Sequence, residues 1–230
     1  MSTSLRNNGA VLAAAAALVL LGTGVAFALF WLPEVEGDPA FAIFYLHVPV
    51  ALTAYGCFGW AAWKALRLLW TRDERHDLES YTGVHMGVIF GLLALVTGSI
   101  WAKYTWGQWW VWSSRQLTLF LVLFLFYSAY FMLRYSTDPG PRRARMSAVY
   151  AIFGIVLLPV SFLAIRLAED VIHPSPVVIR AGEPEMTWDL FALFCVCMTG
   201  MLALASALYQ LELAGKRLDL RLRELREVLS

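Results

Sequence analysis

The sequence predicts an all-α polytopic membrane protein: six transmembrane helices, both termini inside, and an outward-facing Trp-rich loop. Three observations predict it. The 230 residues are 60% hydrophobic and 15% charged, with a mean hydropathy of +0.63, whereas a soluble domain is about 45–50% apolar and about 25% charged. Six runs supply the roughly 20 apolar residues that carry a helix across a bilayer. Lysine and arginine concentrate in every second connection, as cytoplasmic loops require.

The first span runs from about Ala10 to Leu32. It is longer than the apolar core of a signal peptide, and no small-residue cleavage site stands clear of it, so it reads as a retained anchor. The second runs from about Phe44 to Trp70, the third from about Tyr81 to Tyr104 and the fourth from about Leu117 to Tyr135. The fifth runs from about Met146 to Leu167, with Pro159 placed to kink it, and the sixth from about Trp188 to Leu211. The tail from Glu212 to Ser230 alternates Leu with Arg and Glu at helical spacing. It reads either as an amphipathic helix lying on membrane lipid or on a partner, or as a solvated helix end. The spans form a single domain over residues 1–230, with a Trp-rich loop over 105–116.

Orientation follows from the 18 basic residues. Arg6; Lys64, Arg67, Arg72 and Arg75; Arg134, Arg142, Arg143 and Arg145; and Lys216, Arg217, Arg221, Arg223 and Arg226 lie on one side, 14 in all. Lys103, Arg115, Arg166 and Arg180, four in all, lie on the other. The richer side is the cytoplasm. The Trp loop and the connections at about Pro33–Ile43 and Ala168–Thr187 therefore face outward.

A net charge of +1 gives no electrostatic footprint for nucleic acid. The sequence holds no Gly-rich phosphate loop, no paired carboxylates within a span and no Ser/His/Asp arrangement. Cys195 and Cys197 are about 200° apart around a helix, so they cannot clamp one metal, and with Cys57 they read as small buried hydrophobes.

The run Trp106-Gly107-Gln108-Trp109-Trp110-Val111-Trp112-Ser113-Ser114-Arg115 holds four of the ten tryptophans within seven residues. Two readings stand. Trp marks a membrane–water interface because its ring is apolar and its N–H wants a polar partner. Alternatively, the indoles form a stacking surface for a flat ligand, with Gly107 freeing the backbone and Arg115 offering a fork to a carboxylate.

Of the four histidines, His76 sits among charges and reads as solvated, and His85 reads as a helix-packing hydrogen bond. His47 and His173 both fall on the Trp loop's side, each within two residues of a proline that stiffens the backbone. Each alone reads as structural. Together they are two neutral imidazoles beside an indole surface, with Arg115 and Arg180 suited to two propionates, and that combination fits haem.

These residues resemble a known family. Phe44-Tyr45-Leu46-His47-Val48-Pro49, Thr97-Gly98-Ser99-Ile100-Trp101 and Trp106-Gly107-Gln108-Trp109-Trp110-Val111-Trp112 are similar to the WWD-domain haem-handling proteins, and within them to the haem exporter protein C (CcmC) family of cytochrome c maturation. The resemblance covers most of the chain from about Phe44 to His173. It implies haem b, bound non-covalently at the outer face of the inner membrane. It implies that His47 and His173 are the axial ligands of the iron, and that Trp106, Gly107, Trp109, Trp110 and Trp112 line the site. It also implies handover to a membrane-anchored haem chaperone (CcmE-like), beside ABC transporter subunits (CcmA/CcmB-like) that carry the ATP hydrolysis and a small membrane subunit (CcmD-like). The chain itself would be a transport subunit rather than an enzyme. One position departs: the family motif has Asp after the last Trp, and this chain has Ser113.

Two other functions are open to such a chain. A haem-b oxidoreductase subunit passes electrons between two haems at different depths and so needs paired histidines on facing helices, but His85 lies on the wrong side to pair with His47 or His173. A cytochrome c haem lyase shares the Trp motif in a longer chain with more histidines.

Overall fold

The computed structural model describes residues 3–31, 41–161, 179–180, 183–184 and 187–229. Six helices account for nearly all of them: α1 (Thr3–Phe30), α2 (Phe41–Thr71), α3 (Arg75–Trp106), α4 (Arg115–Tyr135), α5 (Pro141–Phe153) and α6 (Trp188–Leu229). A two-residue antiparallel pairing, β1 (Ile179–Arg180) with β2 (Glu183–Pro184), precedes α6. All six helices are long and apolar enough to cross a membrane, α5 with its continuation to Ser161. The protein is therefore an all-α multi-pass membrane protein.

Such helices cannot associate by excluding water from apolar faces, because lipid tails are as apolar as leucine. Close backbone approach and polar links between helices do the work instead. On α3, Ser80, Gly83, Gly87, Phe90 and Ala94 recur every three or four residues and are buried. They face Ala54, Phe58, Ala61 and Ala65 of α2, which are buried as well. A Cβ on Gly83 would stand 3.0 Å from that of Ala61, and Ser80 donates to the Ala61 carbonyl at 2.9 Å. The outward faces stay apolar and exposed, as lipid allows: Leu92, Leu93, Val96 and Ile100 on α3 are examples.

Aromatic pairs join α4 to its neighbours. Tyr127 stacks on Phe58 of α2 at 3.9 Å and donates to the Ala151 carbonyl of α5. Tyr150 of α5 stacks on Phe126 of α4 at 4.4 Å and donates to its carbonyl.

α5 tightens into a 3₁₀ turn at Gly154–Val156 before continuing to Ser161. The irregularity expected at Pro159 thus falls one turn earlier. Proline lacks the N–H that would bond to the carbonyl four residues back, which is that of Ile155, inside the turn.

Two sequence expectations change, those for His76 and for the cysteines. α3 starts at Arg75, six residues before the apolar run, and that places His76 in a helix. His76 Nδ1 lies 2.9 Å from Glu79 Oε2 with its side chain 14% exposed, so it is paired rather than solvated. Glu79 also meets Lys64 of α2 at 2.9 Å and Arg217 of α6 at 3.4 Å, tying three helices together. The tail forms the end of α6, which continues unbroken for 42 residues, about 63 Å at 1.5 Å per residue, past a hydrocarbon core of about 30 Å. Of the cysteines, Cys197 is buried, but Cys195 is exposed on α6 and Cys57 is half-buried. His85 behaves as expected, its Nδ1 lying 2.5 Å from Glu212 of α6.

Candidate functional site

The end of the bundle away from the basic residues gathers His47 and the Trp loop. α2 carries His47 in its second turn, and α3 runs antiparallel beside it, ending in the loop. Thr97, Gly98 and Trp101 of α3 surround the imidazole. Thr97 Oγ1 lies 2.9 Å from His47 Nδ1. Gly98 leaves the space the ring occupies, since a Cβ there would come within 2.9 Å of His47 Cε1. Trp101 lies 6.1 Å from the imidazole, and Trp106 lies 6.2 Å beyond Trp101 at an interplanar angle of 33°. An aromatic series thus runs from His47 to the start of the loop.

The loop has defined ends. Gly107 takes φ +73°, the left-handed conformation glycine adopts without a Cβ penalty, and its N–H bonds to the Lys103 carbonyl at 3.1 Å. The Lys103 ammonium returns to the Gly107 carbonyl at 2.9 Å, a cation on the negative end of α3. Buried Ser114 caps α4 by accepting from the Leu117 N–H, and its own N–H bonds to the Val111 carbonyl at 3.1 Å. Thr118 donates to the Trp112 carbonyl at 3.3 Å.

Within this frame the tryptophans divide. Trp109 and Trp112 are 61% and 73% exposed, while Trp106 and Trp110 are half-buried. Trp110 and Trp112 meet edge-on at 6.0 Å and 64°. The four rings therefore do not form one plane: two are seated on the bundle and two stand out from it. The Trp110 Nε1–H is buried with no hydrogen-bond partner among the described residues, and the same is true of Gln116 Oε1. A buried, unpaired indole donor is costly unless something accepts from it.

Arg115 is the exposed first residue of α4, next to the loop. Ser113 is exposed at the loop's rim. Arg180 stands in β1, which precedes α6 in the chain. His173 lies outside the described residues. His85 and His76 sit toward the other end of α3, with Glu212 and Glu79.

The residues present fit haem. An imidazole held on a helix, indole faces beside it, a buried N–H donor awaiting an acceptor and an arginine at the rim match a flat ring bearing carboxylates. Trp101, Gly98 and Thr97 belong to this arrangement although the sequence reading did not place them in the site. Their signal was the run Thr97-Gly98-Ser99-Ile100-Trp101, in which Thr97 and Gly98 stand four and three residues before Trp101 along one helix.

A family model described as Heme exporter protein C matches residues 2–227. Heme exporter protein C of Haemophilus influenzae is 30% identical over 189 residues, covering 81% of this chain and 76% of that protein. Heme exporter protein C of Paracoccus denitrificans is 29% identical over 231 residues, covering 98% and 93%. Heme exporter protein C of Escherichia coli K12 is 29% identical over 192 residues, covering 81% and 78%. With a family model spanning nearly its whole length, the chain belongs to the heme exporter protein C family.

Proposed function

We propose that this chain is a haem-handling subunit of bacterial c-type cytochrome biogenesis. It sits in the inner membrane with both termini in the cytoplasm, holds haem b non-covalently at the periplasmic face and delivers it to a membrane-anchored haem chaperone. It is a transport subunit rather than an enzyme. ATP is hydrolysed by the ABC-type complex beside it, which also includes a small membrane subunit.

The observation that carries this reading is the seat of His47. The imidazole lies in the gap left by Gly98, bonded to Thr97, at the head of an aromatic series that leads into the Trp loop. Haem, as cargo, brings an iron that takes axial nitrogen ligands, an apolar ring and two propionates. His47 and His173 supply the axial nitrogens. Trp106, Trp109, Trp110 and Trp112 shield the ring from water, the two exposed indoles on the side a partner reaches. Arg115 and Arg180 meet the propionates. Haem held only by ligation and stacking could be given up without breaking a covalent bond to the porphyrin. The Lys and Arg distribution, 14 against four, supports the orientation.

The test is haem titration of the purified chain, followed by visible absorption. One low-spin haem per chain is expected. His47→Ala or His173→Ala should lose or convert the low-spin spectrum, whereas His85→Ala should preserve it. Haem binding that survived both substitutions while failing in His85→Ala would overturn the assignment.

A further inference from the structure

The Thr97 hydroxyl makes three contacts. It lies 2.8 Å from the Leu93 carbonyl and 3.3 Å from the Ala94 carbonyl of its own helix, and 2.9 Å from His47 Nδ1 on α2. A hydroxyl has one hydrogen to give and two lone pairs with which to accept. The two carbonyls can only accept, so the hydrogen goes to the backbone of α3, the common arrangement for a helical threonine. Toward His47, Thr97 therefore accepts, and the hydrogen in that contact belongs to Nδ1. In a neutral imidazole the hydrogen on Nδ1 leaves the lone pair on Nε2.

The same contact fixes the ring's rotation. Turning the imidazole over would exchange Nδ1 for a carbon and leave Thr97 facing a C–H. Thr97 is itself stiff, because its β-branch and its bond to Leu93 hold χ1. Gly98, the next residue, lets the ring lie against α3 at Cε1.

We propose that Thr97 is a positioning residue for His47: by accepting from Nδ1–H it selects the tautomer and ring orientation in which Nε2 is the iron ligand. This rests on the reading of His47 as an axial ligand. Histidines that bind metals commonly donate their other N–H to a fixed acceptor, and loss of that acceptor lowers metal affinity about 10–100-fold. The acceptor here comes from the helix that also carries the Trp loop, so ligand and loop are set by one element.

The experiment has two arms on the full chain. In the first, the haem-free protein is labelled selectively at histidine nitrogen, and its tautomers are read by NMR, with His47 assigned through the signals lost in His47→Gln. We expect the Nδ1–H tautomer in the wild type and in Thr97→Ser, which keeps the acceptor, and loss of that preference in Thr97→Val, which keeps the shape. In the second, haemin is titrated. Thr97→Val should bind about 10–100-fold more weakly, with a weakened low-spin spectrum, and Thr97→Ser should stay close to wild type. Haem-free wild type carrying its hydrogen on Nε2 would overturn the tautomer assignment whatever haem does. A Thr97→Val chain that bound haem with unchanged affinity and spectrum would overturn the positioning role. Unchanged binding by His47→Ala would instead overturn the ligand reading, and the role with it, while the Thr97 hydrogen bond stood.

Discussion

His47 and Gly98 form a matched pair. The imidazole occupies the volume a side chain at 98 would need, 2.9 Å from where its first carbon would sit. Gly98→Ala must push the ring or spread α2 from α3. Overpacking of this kind costs about 1–3 kcal/mol, and here it falls on a proposed ligand. We expect lower thermal stability and weaker haem binding in a paired melting and titration experiment. Gly59→Ala on α2 is the control: nothing lies within 4 Å of the added carbon, so neither property should fall. Ser113 offers the opposite case. It is exposed at the loop's rim, so Ser113→Asp should leave haem content unchanged. Its effect should fall on the chaperone, at most about a hundredfold in affinity, which corresponds to the roughly 1.5–3 kcal/mol of a hydrogen bond to a charged group. A pull-down with haem quantified in parallel separates the two, and loss of haem would move Ser113 into the pocket.

At this scale His47, the four loop tryptophans and Arg115 were candidates from the sequence, by residue type and by position relative to the apolar runs. Thr97 and Gly98 were not. Both fall in a run that carries the family resemblance, but each is by type an ordinary residue of a membrane helix, and its contact with His47 exists only once α2 lies against α3. His76 was misread because its neighbours are charged. Its surroundings depend on α3 beginning at Arg75, and no apolar periodicity marks that turn.

Among the elements, α3 joins the two ends of the molecule. One end carries Thr97, Trp101 and the loop, while the other is tied to α4 by Arg134. That guanidinium is 5% exposed, lies 2.6 and 2.8 Å from the two Asp77 carboxylate oxygens and rests over the Tyr81 ring at 4.5 Å. Removing one member of a buried ion pair strands the other, typically at about 3–5 kcal/mol. Arg134→Met should therefore lower the thermal midpoint sharply, as followed by circular dichroism in detergent. The haem spectrum of the surviving folded fraction should be intact, because the site lies at the opposite end of α3. Unchanged melting would show that the pair contributes little. α6 makes a different prediction. Its residues beyond Leu218 are exposed throughout, so a chain ending at Arg217, which keeps Glu212, Lys216 and the Glu79 contact, should load haem normally.

For the whole molecule, six helices were legible because a bilayer imposes a length on each apolar run. What lay beyond the bilayer was less so: the extensions of α3 and α6 away from the Trp loop are polar, and composition alone reads the first as loop and the second as either a surface helix or a solvated helix end. The charge asymmetry predicts that a reporter active only in the periplasm gives no signal at Ser230 and a strong one at Ser113. The reverse would put the Trp loop in the cytoplasm and end the outer-face reading.

Ligation of iron by His47 is tested most directly by opening its position and refilling it. The visible spectrum of haem-loaded His47→Gly should lose the low-spin form seen in wild type and regain it when free imidazole is added. A low-spin spectrum that persisted in His47→Gly without imidazole would show that the iron takes its ligand elsewhere.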